Sequence, residues 1–283
     1  MKKAKPLIVG NWKTNPGNVK DAKKIFLGIK KAASVYKDLD VVVCPPYPYI
    51  SILSSAIGTQ KKNLSVGSQD VSQFESGLSR TGEVSADMIS SVGATFAIVG
   101  HSERRAMGEN ADLLRTKIQQ VLKTNMSVIV CVGEKERDAE GGYFEIVKAQ
   151  LKEVLVGVNR SDFHKIIIAY EPVWAIGRKD NVALTGYDLH QMVVYIRKYL
   201  KETWGETISS MMKILYGGSV NSSNTEDIMI NGEVDGLLVG RSSWTADAFR
   251  DVFSSVTACM KTHSIKDLKK TLKKAQAQKK NKR

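Results

Sequence analysis

The sequence predicts an α/β fold in a single domain: a closed (β/α)8 barrel of parallel strands ringed by helices. Three observations predict it. Eight short apolar runs alternate with segments of helical period, and that alternation implies parallel strands joined by crossover helices. The units occupy roughly 250 residues, the span of such a barrel. The competing architecture is an open doubly wound sheet, but its glycine-rich dinucleotide fingerprint is missing after the first run.

The elements follow in chain order. Leu7–Gly10 is the first apolar run and leads into Asn11-Trp12-Lys13. A helical pattern starts near Asn18, with Ile25, Leu27, Ile29 and Ala32 set among lysines. Asp40–Cys44 is the second strand, ended by Pro45-Pro46, and Tyr47–Ile57 reads as a helix. Leu64–Gly67 is a weaker third strand, followed by the polar loop Gly77–Glu83 and a short helix around 84–91. Thr95–Gly100 is the fourth strand and runs straight into His101-Ser102-Glu103-Arg104-Arg105. A helix over 112–123 precedes the fifth strand, Val128–Val132, and another covers about 145–156. Ile166–Ala169 is the sixth strand, with Glu171 at its end and Pro172 stopping the ladder. The helix near 188–203 leads to the seventh strand, Lys213–Tyr216, which ends in Gly217-Gly218-Ser219-Val220. Val234–Val239 is the eighth, ending in Gly240-Arg241, and a last helix covers about 246–260.

Composition narrows the function classes. The longest apolar runs fall well short of the ~20 residues that cross a bilayer. The basic start, Met1-Lys2-Lys3, has no long apolar region behind it, so no secretory signal is expected. Cys44, Cys131 and Cys259 are odd in number and lack CxxC spacing, which points to free thiols and a reducing, cytoplasmic compartment. The net charge is +13, but residues 261–283 hold ten Lys and Arg against the single acid Asp267. The basicity is thus largely a property of a tail, and it does not make the whole chain a nucleic-acid binder. No linker breaks the sequence before about residue 262, so the barrel is assigned to 1–262 and the tail to 263–283.

The unusual polar residues sit at the C-terminal ends of the strands. Asn11 and Lys13 follow the first, His101 and Glu103 the fourth, and Glu171 the sixth. In a parallel barrel all these ends converge on one rim. Taken singly, Lys13 reads as a solvated charge, His101 as a structural histidine and Gly217-Gly218 as a tight turn. Together on one rim they supply a cation, an electrophile and a base, which suits proton abstraction next to a carbonyl. The turns Gly217–Ser219 and Gly240-Arg241 would offer backbone N–H groups to an oxyanion such as phosphate. The apolar loop Val173-Trp174-Ala175-Ile176, closing at Gly177, has the character of a lid that excludes water from Glu171; the alternative is a core strand ending in a solvated Glu171 with Trp174 packed as structure.

Four motifs, Asn11–Asn15, Val99–Arg105, Ala169–Gly177 and Tyr216–Val220, closely resemble those of the triosephosphate isomerase family, in the family's order and at similar spacing. The resemblance covers about residues 5–260. It implies a TIM barrel, no cofactor, a homodimer, and interconversion of dihydroxyacetone phosphate and glyceraldehyde 3-phosphate in glycolysis and gluconeogenesis. By motif, it makes Glu171 the base, His101 the imidazole that polarises the carbonyl, and Lys13 the cation that stabilises the enediolate. Asn11 and Glu103 would support them, Gly177, Ser219, Gly240 and Arg241 would bind the phosphate through backbone N–H groups, and Tyr216 would latch the lid. The loop Glu75–Glu83 resembles the family's dimer arm. Thr81 would then approach Asn11 and Lys13 of the partner subunit, and Glu83 would pair with the partner's Arg104.

The chain also departs from the family pattern. The lid continues as Arg178-Lys179-Asp180-Asn181-Val182 where the family has a glycine-containing hinge, so closure is expected to survive with altered kinetics, and increased phosphate elimination would mark a leaky lid. Arg241 stands at a common glycine, and Thr14 at a common methionine. The tail has Ile265, Leu268 and Leu272 at helical spacing and is expected to be solvated, with a weak polyanion contact as the functional alternative. No specific nucleic-acid or membrane partner is expected. Two other classes stay open at this point: another phosphosugar barrel enzyme, for which no Schiff-base lysine is evident on the sixth strand, and an inactive barrel kept as a scaffold.

Overall fold

The computed structural model describes residues 4–58, 63–176 and 184–262. Eight strands form a closed parallel barrel in sequence order. They are β1 (Leu7–Asn11), β2 (Asp40–Cys44), β3 (Leu64–Ser68), β4 (Phe96–Val99), β5 (Ser127–Val132), β6 (Ile166–Tyr170), β7 (Lys213–Tyr216) and β8 (Gly236–Val239). Closure is made where β1 pairs with β8, with Gly10 opposite Val239, while its other edge sets Asn11 opposite Cys44 of β2.

Alternate residues on each strand face opposite ways, and this divides the core in two. Leu7, Val9, Val42, Ile98, Ile129, Cys131, Ile167, Ala169, Leu215 and Leu238 fill the barrel. Ile8, Val41, Val43, Ala97, Val130, Ile168, Ile214 and Leu237 face the helices. Both sets are buried, which is why the strands read as continuous apolar runs.

The helices form because their apolar stripes meet that outer face. In α1 (Val19–Val35) the buried residues Ala22, Phe26, Ile29 and Ala33 recur every three or four positions. Asn18 caps it by accepting from the N–H of Asp21 at 2.9 Å. The helix α2 (Tyr47–Ile57) follows Pro46, and α3 (Ala86–Ser91) is capped by Ser85. Beyond β4 come α4 (Ser102–Ala106), capped by His101, and α5 (Ala111–Leu122), capped by Asn110. Then follow α6 (Gly142–Leu155), α7 (Gly186–Trp204) with a Thr185/Asp188 capping box, α8 (Glu206–Met211) and α9 (Thr225–Ile230). A final helix occupies 246–262.

All eight strands lie within two residues of their expected positions. The short helices α4, α8 and α9 were not expected, because fewer than two turns present no complete apolar period. No helix among the described residues is long and apolar enough to cross a membrane. The basic tail 263–283 lies outside the described residues.

Candidate active site

The same two-residue alternation that fills the barrel also builds its upper rim. The inward series Leu7, Val9 continues to Asn11, and the series Ile167, Ala169 continues to Glu171. On the neighbouring strands it continues from Cys131 to Gly133, from Leu215 to Gly217 and from Leu238 to Gly240. The topmost inward layer is therefore small and polar. A cavity of about 460 Å3 opens above it, lined by Asn11, Lys13, His101, Glu103, Glu171 and the turns after β7 and β8.

Glu171 is the deepest carboxylate of this cavity, at 2% exposure. Its backbone N–H donates to the carbonyl of Val132 at 2.8 Å, extending the β5–β6 ladder by one residue. Two glycines make room for it. A Cβ at Gly133 would stand 1.8 Å from the Glu171 carbonyl oxygen, and one at Gly217 would stand 2.8 Å from its Cγ. The two carboxylate oxygens differ. Oε2 accepts from the backbone N–H of Ser102 at 2.9 Å. Oε1 lies 3.3 Å from His101 Nε2 but makes no hydrogen bond to any described group. A buried oxygen left in that state is ready to take a proton from a bound molecule.

His101 caps α4, and its Nδ1 accepts from the N–H of Glu103 at 3.2 Å. That bond assigns the proton of the neutral ring to Nε2, so the imidazole presents a donor to the cavity. Lys13 follows β1 and reaches the same Glu103. Its Nζ donates to Glu103 Oε1 at 2.5 Å, and its N–H donates to Asn11 Oδ1 at 3.0 Å. Gln69 secures the turn behind it by donating to the carbonyls of Lys13 and Cys44 at 2.8 and 2.9 Å. Cys131, on β5, is buried beside Glu171, and both burial and that carboxylate push its thiol pKa well up.

The anion end of the cavity is formed by two turns tied together. Ser242 Oγ donates to the carbonyl of Val220 at 2.7 Å, and Asn224 donates to the carbonyl of Ser219 at 2.8 Å. Among the described residues, the backbone N–H groups of Gly218, Ser219, Gly240 and Arg241 have no protein acceptor. Tyr216 is buried behind Gly218, and burial raises its phenol. No group of three or more His, Cys, Asp or Glu among the described residues is placed to hold a metal ion.

The lid root is fixed by a group that the sequence reading missed. Glu134 is wholly buried at the end of β5, and its Oε1 accepts from Tyr170 OH at 2.8 Å, Trp174 Nε1 at 2.8 Å and Arg137 Nε at 3.0 Å. It holds the turn Val173–Ala175 against the barrel. The rule that flagged Glu171, a carboxylate just beyond a strand end, applies equally to Glu134. Gly177, and with it the altered segment Arg178–Val182, lies outside the described residues.

Thr81 and Glu83 lie on an exposed loop beyond β3. Within the chain, Glu83 accepts from Ser72 Oγ at 2.5 Å, while Arg104 pairs with Asp70 at 3.0 Å and Glu109 at 2.7 Å. Lys117, which the sequence reading also missed, completes that network with bonds to Asp70 and Glu109 at 2.7 and 2.6 Å. The opposite mouth of the barrel holds a second cavity of about 330 Å3, lined by Leu7, Val41, Phe96 and Ile167 with Asp40 and Lys213. Residues at that end of a barrel serve stability, whereas chemistry sits with the βα loops.

Comparison with known proteins decides which chemistry this rim belongs to. The family model described as triosephosphate isomerase matches residues 6–256. The chain belongs to the triosephosphate isomerase family. Among its relatives, the triosephosphate isomerase of Alkaliphilus oremlandii is 36% identical over 254 residues, covering 88% of this chain and 99% of that protein. That of Saccharopolyspora erythraea is 39% identical over 251 residues, 86% and 94% of the two chains. That of Porphyromonas gingivalis is 35% identical over 257 residues, 89% and 99%. Membership in the triosephosphate isomerase family makes the chain a cofactor-independent isomerase of triose phosphates.

Proposed function

We propose that Glu171 is the base that interconverts dihydroxyacetone phosphate and D-glyceraldehyde 3-phosphate through an enediolate. The observation that carries this is its buried carboxylate, with Oε2 held by the Ser102 N–H and Oε1 unpartnered beside His101. Glu171 takes a proton from C1 of the ketone, the electron pair moves onto the C2 carbonyl oxygen, and the protonated carboxyl returns the proton to C2. The hydroxyl proton of C1 is released as the aldehyde forms, and the C2 oxygen gains one. His101 donates from Nε2 toward the carbonyl oxygens, and Lys13 exchanges its bond to Glu103 for the developing negative charge. Asn11 fixes the Lys13 turn. The N–H groups of Ser219, Gly240 and Arg241 hold the phosphate, with Gly177 and Tyr216 assigned to the lid side.

The test is a coupled assay of glyceraldehyde 3-phosphate turnover by the chain and by Glu171→Gln. Loss of the base is expected to cost about 10²–10⁴-fold in kcat. A variant that turns over like the parent removes Glu171 from this role.

The same reading includes a homodimer built on the Glu75–Glu83 arm, with Thr81 reaching Asn11 and Lys13 of the partner subunit and Glu83 adding to the partner's Arg104. It also places the protein in the cytoplasm, where Cys44, Cys131 and Cys259 stay reduced; all three are free thiols in the fold.

A further inference from the structure

Arg241 differs from every other described arginine. Arg80, Arg104, Arg105, Arg115, Arg137, Arg160, Arg197 and Arg250 each donate to a carboxylate, hydroxyl or carbonyl. Among the described residues, the guanidinium of Arg241 has no hydrogen bond and no ion pair, and it is exposed on the wall of the catalytic cavity. Its turn is held in place: the Ser242–Val220 bond locks it against the turn of Ser219. A planar group with five donors and no protein acceptor is suited to an oxyanion held in a bidentate manner.

The charge balance of the cavity gives this side chain consequence. Its charged lining residues are Lys13, Arg241, Glu103 and Glu171. The charge of Lys13 is matched by Glu103 at 2.5 Å, and Glu171 is faced from behind the cavity wall by the partly buried Arg105, so Arg241 is the lining cation without a carboxylate partner among the described residues. With Arg241 the lining is formally neutral, and without it the cavity carries one net negative charge against an incoming phosphate dianion. Field lines concentrate in such a cleft, so one charge affects capture of the ligand as well as its retention.

We propose that the Arg241 side chain is a direct ligand of the substrate phosphate, beyond the backbone N–H groups of the same turn. This rests on the isomerase reading of the cavity for the identity of the ligand. Arg241 follows β8, in the turn assigned to the phosphate, whereas His101 follows β4 and Glu171 follows β6, so its contribution is to binding and not to proton transfer.

The experiment is titration calorimetry of the full chain with inorganic phosphate, for the parent, Arg241→Ala and Arg241→Lys, alongside the KM for glyceraldehyde 3-phosphate. Arg241→Ala is expected to weaken phosphate roughly tenfold, the equivalent of one lost charge-assisted hydrogen bond. KM is expected to rise in parallel, Arg241→Lys to recover part of the loss, and the gap to narrow as salt screens the charge. Phosphate affinity in Arg241→Ala equal to that of a parent that isomerises overturns the assignment alone. A parent that neither isomerises nor binds phosphate overturns the reading of the cavity and the assignment with it.

Discussion

Lys13 holds its backbone in the left-handed region, at φ 52. For a residue with a Cβ that conformation costs roughly 1 kcal/mol, which a glycine would not incur. Lys13→Gly therefore separates backbone from chemistry. The thermal midpoint is expected to stay level or rise, while kcat/KM falls by about 10²–10³-fold through loss of the ammonium. Calorimetry and a turnover assay on one preparation check both halves. Ser102 tests how the base is held. It is the first residue of α4, a position where proline fits, and the preceding His101 has φ −51 and ψ 143, which a following proline tolerates. Ser102→Pro removes the N–H that holds Glu171 Oε2 and sets a ring carbon where its hydrogen stood, so a loss of about 1–3 kcal/mol is expected from denaturant midpoints together with the loss of turnover. A fall in kcat of about tenfold or more is the expected reading, and unaltered kcat would show that this bond does not position the base. At this scale the reacting groups were legible because Lys, His and Glu at strand ends are chemically conspicuous. The groups that place them were not. The Ser102 N–H and Gly133 act through backbone geometry and close approach, and the Gln69 amide through two backbone carbonyls, none of which residue type alone announces.

The end of β6 shows how an element is anchored. Glu134 gathers three donors from the end of that strand and the turns beside it, and the Arg137 guanidinium lies over the rings of Tyr143 and Trp174, at 4.7 and 5.1 Å. Trp174→Phe removes one donor from a carboxylate that keeps two, so a loss of about 1.5 kcal/mol is expected from denaturant midpoints. Glu134→Leu leaves Tyr170, Trp174 and Arg137 without their acceptor, and a cost of about 3–5 kcal/mol is expected. Equal losses in the two variants would mean that the tryptophan ring, and not the buried carboxylate, holds the turn. The strands themselves were readable because a parallel barrel buries both of their faces and writes them as short apolar runs. The lengths of the helices were less so. Asp138 accepts from the N–H of Gly142 at 2.7 Å and starts α6 three residues before its expected position. That loop contact, with Gly141 in the left-handed region at the N-cap, and not the apolar period sets the boundary.

Two properties belong to the molecule as a whole. The first is alkaline stability. Burial, with the Glu134 charge in the case of Tyr170, raises the phenols of Tyr170 and Tyr216 far above the usual value of 10.0. The unfolded chain ionises these groups as pH passes 10 while the fold keeps them protonated, so the stability they contribute is present below pH 10 and is lost as pH rises above it. Phenolate absorbance from them is expected only together with unfolding. The second is assembly. Tyr47 lies within the electrostatic reach of Asp70, Arg104, Glu83 and Glu109, so the root of the Glu75–Glu83 arm, α2 and α4 form one surface. That surface leaves Leu78 53% and Met107 76% exposed, with Met107 bonded through its N–H to the carbonyl of Arg104. Apolar side chains around a charged network that is already satisfied inside the chain suit a self-complementary, two-fold interface. Sedimentation at micromolar concentration is expected to give twice the chain mass. Met107→Glu sets a charge among those apolar groups and is expected to shift the species to the chain mass, while the melting profile keeps a cooperative transition. If Thr81 supports Asn11 and Lys13 of the partner subunit, the dissociated variant also loses turnover, and concentrating it restores both mass and activity along one curve. A parent that sediments as a monomer with full turnover rules out this assembly and, with it, any role for Thr81 at the neighbouring site.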